Sequence, residues 1–220
     1  MIIHQNLHKI LKTIPKEITL VAVSKTKPNE MLTEAYEAGQ RVFGENKVQE
    51  MVQKEASLPK DISWHMIGHL QSNKVKFIAP FVDLIHGVDS IKLLKEINKQ
   101  GKKNKRVIRV LLQVHIAQES TKFGFSHQEL TDLLSPSSFT EYEHLQVTGL
   151  MGMATNTPDK EQISKEFNSL KLLFDHLKST YFSACHSFKE ISMGMSGDYI
   201  LAIEQGSTMV RVGSAIFGSR

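Results

Sequence analysis

The chain has a single cysteine, Cys185, among its 220 residues. One thiol cannot close an internal disulfide, so a secreted scaffold stapled by bridges is excluded and a reducing cytoplasm fits. No apolar run approaches the roughly 18–20 residues that a membrane span needs. The opening MIIHQNLHKILK lacks the charged start and long apolar stretch of a secretory leader. Charge of one sign is scarce as well. With 27 Lys and Arg against 23 Asp and Glu, the net charge is only +4. That balance suits an anionic ligand but is not the concentrated basic face of a nucleic-acid binder. The one basic run, Lys102-Lys103-Asn104-Lys105-Arg106, carries no interleaved aromatics and reads as a solvated loop. Low-complexity tracts and linkers are missing too, and the Ser- and Pro-rich stretch 135–138 reads as a short loop.

What is present is an ordinary globular composition, 40% hydrophobic and 23% charged, with length for one generous domain or two small ones. Short apolar, β-branched runs recur at 18–23, 41–43, 62–67, 82–86, 107–115, 145–151, 190–193 and 209–212. Helical patterns separate most of them, at 47–56, 73–77, 90–99, 127–134, 158–181 and 197–205, with another from Asn29, as its cap, to the stop at Gly39. Ser126 with Glu129 fits a capping box, and Thr157-Pro158 reads as a cap followed by a first-turn proline. Alternation of this kind implies βα units and a parallel sheet, either an open doubly wound sheet or a closed (β/α)₈ barrel. About 27 residues per unit favours a single barrel domain spanning 1–220, with an extra amphipathic helix near 3–11 built on Ile3, Leu7, Ile10 and Leu11.

In such a barrel, chemistry sits where strands end and βα loops begin. The residues there are Ser24-Lys25-Thr26, Gly44-Glu45-Asn46, His65 to Asn73, His86 with Asp89, 192–198 and 211–214. Lys25 directly follows a buried strand. Desolvation there favours a neutral, nucleophilic amine able to form a Schiff base, although a lysine in this place can also simply snorkel to solvent. Ser196-Gly197 and Gly213-Ser214 follow the seventh and eighth strands, the usual phosphate loops of the fold. Arg211 is always charged and must meet either a carboxylate or a ligand. His65 and His69 lack the glutamate of a metalloprotease motif, and the methionines read as core filler. Cys185 has no paired base that would make it a nucleophile.

Six segments taken together carry a resemblance: LVAVSKTKP (20–28), FGENKVQE (43–50), WHMIGHLQSNK (64–74), ESTKFGF (119–125), GLMGMAT (149–155) and ISMGMSGDYILAIEQGSTMVRVGSAIFG (191–218). In this order they resemble the pyridoxal phosphate homeostasis proteins, the YggS/PROSC group. The resemblance implies a barrel related to the N-terminal domain of alanine racemase that carries pyridoxal 5′-phosphate (PLP). It implies that Lys25 holds the cofactor as a Schiff base, that Ser196, Gly213 and Ser214 bind its phosphate, that Arg211 faces the pyridine nitrogen and that Asn46 lies against the ring. His65 is expected as a neighbour. Three positions depart from the family pattern: Ser214 where threonine is also common, His115 where asparagine is frequent, and His86-Gly87 where a His-Ser pair is frequent. The expected function is a cytoplasmic, non-catalytic carrier that buffers PLP or delivers it to PLP-dependent apo-enzymes, as a monomer or weak dimer without nucleic-acid or membrane partners. Nor does the length leave room for the second domain of a racemase. The alternatives are a PLP-dependent amino-acid racemase or a class I aldolase-like enzyme in which Lys25 attacks the substrate itself.

Overall fold

The computed structural model describes residues 2–119, 123–134 and 141–218. The loop expected at 135–138 and the centre of the ESTKFGF segment lie outside them. Eight parallel strands close into a barrel in sequence order: β1 Thr19–Val23, β2 Val42–Glu45, β3 Ser63–Met66, β4 Leu84–Val88, β5 Ile108–Val114, β6 Leu145–Gly152, β7 Glu190–Met195 and β8 Met209–Val212. The barrel is sealed where β1 pairs with β8, Val21 lying opposite Arg211. Around it run α2 Asn29–Glu37, α3 Val48–Ser57, α4 Val75–Ile78, α5 Ile91–Asn104, α6 His127–Leu133, α7 Lys160–Thr180, α8 Tyr199–Glu204 and α9 Ser214–Phe217. The additional helix, α1 Ile2–Thr13, precedes β1 as expected. It buries Ile3 and Leu7 and is tied down by Asn6, whose side-chain amide donates to the Ile216 carbonyl at 3.1 Å. Leu11, expected on the same face, points to solvent.

Two apolar layers hold the barrel. The larger lies between strands and helices, where Phe43, Trp64, Phe167 and Phe188 are buried. A smaller one fills part of the interior with Val21, Leu84, Leu111, Met151 and Met209. The remaining interior is polar: His65, His86, Gln113, Ser192 and Arg211 are all buried. Removing polar groups from water costs free energy unless each is bonded, so the hydrogen bonds of these five side chains fix their geometry closely.

Several boundaries differ from the sequence expectation, each for a local reason. The capping box at Ser126 and Glu129 forms, with both reciprocal bonds present. Helix α7 starts later than the Thr157-Pro158 signal suggests, because Asp159 caps it by accepting from the Glu161 and Gln162 N–H groups. A carboxylate there also meets the positive end of a long helix dipole. Helix α2 begins at Asn29 itself, with Pro28 in the capping position. The basic run 102–106 is the end of α5 rather than a loop. Lys102 and Lys103 occupy its last turn, Lys105 closes it in the left-handed conformation, and Arg106 donates to the Ala79 and Val82 carbonyls. Cations complement the negative end of a helix, which explains this clustering. The helix expected at 73–77 is a 3₁₀ turn, Ser72–Lys74, running into α4.

Candidate cofactor site

At the C-terminal rim of the barrel a cavity of about 370 Å³ is lined mainly by residues from the first, second, seventh and eighth strand ends, with one each from the third and the sixth. Lys25 and Thr26 come from the loop after β1, Asn46 from the end of β2, Ser196 and Gly197 from the loop after β7, and Arg211, Gly213 and Ser214 from β8 and the turn beyond it. All six cofactor-binding candidates from the sequence thus face one space. Ile67, Met153 and Met195 supply apolar walls, so two of the methionines read as core filler line the cavity.

The Lys25 loop is held from below. The Ser24 hydroxyl donates to Glu45 Oε1 at 2.6 Å, and Lys54 Nζ donates to the same oxygen at 2.7 Å and to the Ser24 carbonyl at 2.8 Å. These three side chains are buried. Burial pushes the Glu45 carboxyl up from its ordinary value, while the bonds from Lys54 and Ser24 oppose the rise. Above them, Thr26 has φ +62°, an uncommon conformation for a β-branched residue, and its N–H donates to Glu50 Oε2 at 2.7 Å. The backbone on either side of Lys25 is therefore fixed by charged partners, which hold Thr26 in its strained conformation. Gly68 secures the neighbouring wall. A Cβ at that position would lie 2.5 Å from the Asn46 carbonyl oxygen, so only glycine lets the β3 loop pack against Asn46.

Two observations test whether the cavity suits a phosphorylated pyridine aldehyde. Arg211 is buried, yet its bonded partners among the described residues are neutral: Nη1 donates to Ser192 Oγ at 2.5 Å and Nη2 to the Gly152 carbonyl at 3.0 Å. Burial draws this guanidinium down to about 10, with the Asp198 charge opposing the change. A buried cation bonded only to neutral groups favours an anion or an electron-rich ring atom in the cavity beside it. The second observation is the turn after β8. There the Gly213 N–H donates to Ser196 Oγ at 3.1 Å, which brings both phosphate-loop candidates together. A Cβ on Gly213 would sit 3.0 Å from the Val23 carbonyl oxygen, closer than most side-chain contacts. Helices α8 and α9 are short, so this cradle rests on hydroxyls and loop N–H groups more than on a summed helix dipole. The cavity fits the group.

Comparisons with known proteins bear on the fold and the family. The family model described as "Alanine racemase, N-terminal domain" matches residues 2–220. A pyridoxal phosphate homeostasis protein of Vibrio alginolyticus is 41% identical over 94% of this chain and 88% of its own length. One from Escherichia coli K12 is 39% identical over 94% and 87%. The chain belongs to the pyridoxal phosphate homeostasis protein family. Among solved structures, PipY of Synechococcus elongatus PCC7942 without PLP superposes with a TM-score of 0.92 at 33% identity, covering 98% of this chain and 100% of that one. The same protein with PLP bound gives a TM-score of 0.89. An alanine racemase of Clostridium difficile 630, at 16% identity and TM-score 0.75, shares the fold and is matched over 56% of its length.

For a member of the pyridoxal phosphate homeostasis family, one expectation needs correction. His65 does not line the cavity. It lies inside the barrel, its Nδ1 3.0 Å from Nε2 of His86. Thr26 and Met195, named only as strand-end residues, also line the cavity, and sequence reasoning missed Lys27, which adjoins that loop, and Met153, which it read as core filler. His69, set aside as a ligand, stacks on Phe123 at 4.4 Å and pairs with Asp89 at 3.1 Å.

Proposed function

We propose that this chain binds pyridoxal 5′-phosphate and buffers or delivers it, with no turnover of its own. The observation that carries this reading is the convergence of Lys25, Arg211 and the Ser196–Gly213–Ser214 cradle on one cavity. The relatives' names, and the PLP bound to PipY, point the same way. When bound, PLP supplies an aldehyde that condenses with amines and a ring that can accept electrons. Lys25 Nζ is the amine for covalent attachment. Ser196 and Ser214 hydroxyls, with the Gly213 backbone, would bind phosphate, and Asn46 would lie against the ring. Arg211 would face the ring nitrogen and, being cationic, would disfavour its protonation. An unprotonated ring is a weaker electron sink, which suits carriage better than abstraction of a substrate α-proton.

Among the described residues no helix is long and apolar enough to cross a membrane. The reading is completed by hand-over to PLP-dependent apo-enzymes in the cytoplasm, from a monomer or weak dimer. Borohydride reduction of the PLP-loaded chain followed by peptide mass spectrometry should place a pyridoxyl adduct on Lys25, and Lys25→Ala should be colourless. An adduct elsewhere, or none, would sink the site assignment. Amino acids incubated with the loaded protein in D₂O should show no Lys25-dependent exchange at the α-carbon; robust exchange would overturn the carrier reading in favour of a racemase-like enzyme.

A further inference from the structure

The polar part of the barrel interior is a connected row. Arg211 Nη1 donates to Ser192 Oγ at 2.5 Å, Ser192 Oγ lies 2.9 Å from His86 Nδ1, and His86 Nε2 lies 3.0 Å from His65 Nδ1. His65 Nε2 then meets Ser63 Oγ at 3.3 Å and Asp83 Oδ2 at 3.4 Å, and the Ser63 hydroxyl donates to Asp83 Oδ2 at 2.7 Å. The row begins at the cavity and ends at the opposite rim, where Asp83 is partly exposed and 3.4 Å from Arg109. Neither histidine, nor Ser192, lines the cavity.

The two ends set the direction of every bond between them. A guanidinium can only donate and a carboxylate can only accept. Ser192 Oγ accepts from Arg211, so its own proton is available for His86 Nδ1. His86 Nε2–H then donates to His65 Nδ1, and His65 Nε2–H donates to Ser63 Oγ, whose own proton goes to Asp83. Each link is satisfied. In the reverse sense the buried Ser192 hydroxyl would accept twice and leave its proton without a partner. A neutral His65 would also turn a lone pair towards the carboxylate. Buried groups left unsatisfied in this way cost free energy, so the first arrangement prevails.

We propose that Asp83, His65, His86 and Ser192 form a one-way hydrogen-bond line that positions the Arg211 guanidinium for the cofactor ring, a role that rests on the PLP reading above. These four are positioning residues, since none lines the cavity. Both imidazoles are neutral and protonated on Nε2. Burial holds His65 below its ordinary pKa, with Arg109 acting in the same sense and Asp83 and Glu190 opposing. His86 is lowered well below, first by burial, then by the charge that a protonated His65 would set beside it, and then by Arg211 and Arg109. Asp83 is lowered, chiefly by its bond from His65. The line thus carries a cation at one end, an anion at the other and no charge between.

Imidazole ¹⁵N correlation spectra of the histidine-labelled apoprotein at pH 7 test the direction without any cofactor. His65 and His86 should both appear as neutral rings protonated on Nε2; a cationic ring, or an Nδ1–H ring, at either position overturns the line. Asp83→Asn, at a partly exposed rim position, should shift the ring nitrogens of His86 as well as those of His65. It should also weaken PLP binding about 5- to 10-fold, read by spectroscopic titration. Ser192→Ala breaks the line where it meets Arg211 and should cost a similar factor. The double variant should bind little worse than either single one, because the line is already broken. Additive losses, or His86 resonances unmoved by Asp83→Asn, refute the positioning role. If the unmodified chain binds no PLP, the functional reading and the positioning role fail together, while the spectra still decide the direction of the line.

Discussion

Two buried polar clusters flank the cavity, and they manage charge in opposite ways. Beneath Lys25, opposite charges touch: Lys54 and Glu45 are 2.7 Å apart, both buried, and Glu45 Oε2 has no bonded partner among the described residues. Behind Arg211, the cation and the nearest carboxylate of its row are kept apart by a hydroxyl and two imidazoles. The first cluster grips backbone, because Lys54 also bonds the Ser24 carbonyl. The second grips a side chain. A compact ion pair fixes where the Lys25 loop runs, at the cost of desolvating two charges. The extended row fixes how a guanidinium is turned, and each neutral link needs only its own hydrogen bonds.

The contrast predicts unequal damage. Lys54→Met should be the most harmful, because it leaves Glu45 buried without its partner; a loss of about 3–5 kcal/mol is expected in urea unfolding. A loss below about 1 kcal/mol would mean that the pair is a bystander. The second prediction concerns acid. His65 and His86 have native pKa values below the 6.5 of the unfolded chain, so the unfolded state binds more protons. Stability is therefore full above pH 6.5 and falls as the pH drops towards their native values, by up to about 1.4 kcal/mol per pH unit for each histidine. Glu45 acts in the other direction, since its raised pKa makes the native state the better proton acceptor just above 4.5. A stability profile from pH 7.5 to 5 should thus slope downward, and His86→Gln should flatten it; equal slopes for the two proteins would remove the histidines from the account. The smallest effect belongs to Ser63→Ala. It removes the hydroxyl that joins His65 to Asp83 but leaves the two only 3.4 Å apart, so about 1 kcal/mol is expected from thermal unfolding.

Much of the site was legible because barrel chemistry collects at strand ends. Lys25, Asn46, Ser196, Arg211, Gly213 and Ser214 each stand at or just beyond the end of an apolar run, and all line one cavity. The row inside the barrel was not legible. His65, His86 and Ser192 come from three strands, and whether they meet depends on register across the barrel. That register is irregular between Ile85 and Val88 and again between Ser192 and Met195. A bulge turns a side chain by a residue without leaving any trace in hydrophobic periodicity. The start of α7 failed for a more local reason: Asp159 outcompetes Thr157 as the cap, and Thr157 instead accepts from the Asp159 N–H.

The cavity straddles the seam where the first strand meets the last. Lys25 leaves the ribosome long before Arg211, Gly213 and Ser214 do. A nascent chain has a lysine but no cradle, so ligand capture waits for the join. A molecule bound across it would act as a clasp, adding its binding free energy to the contacts that keep the first and last strands together.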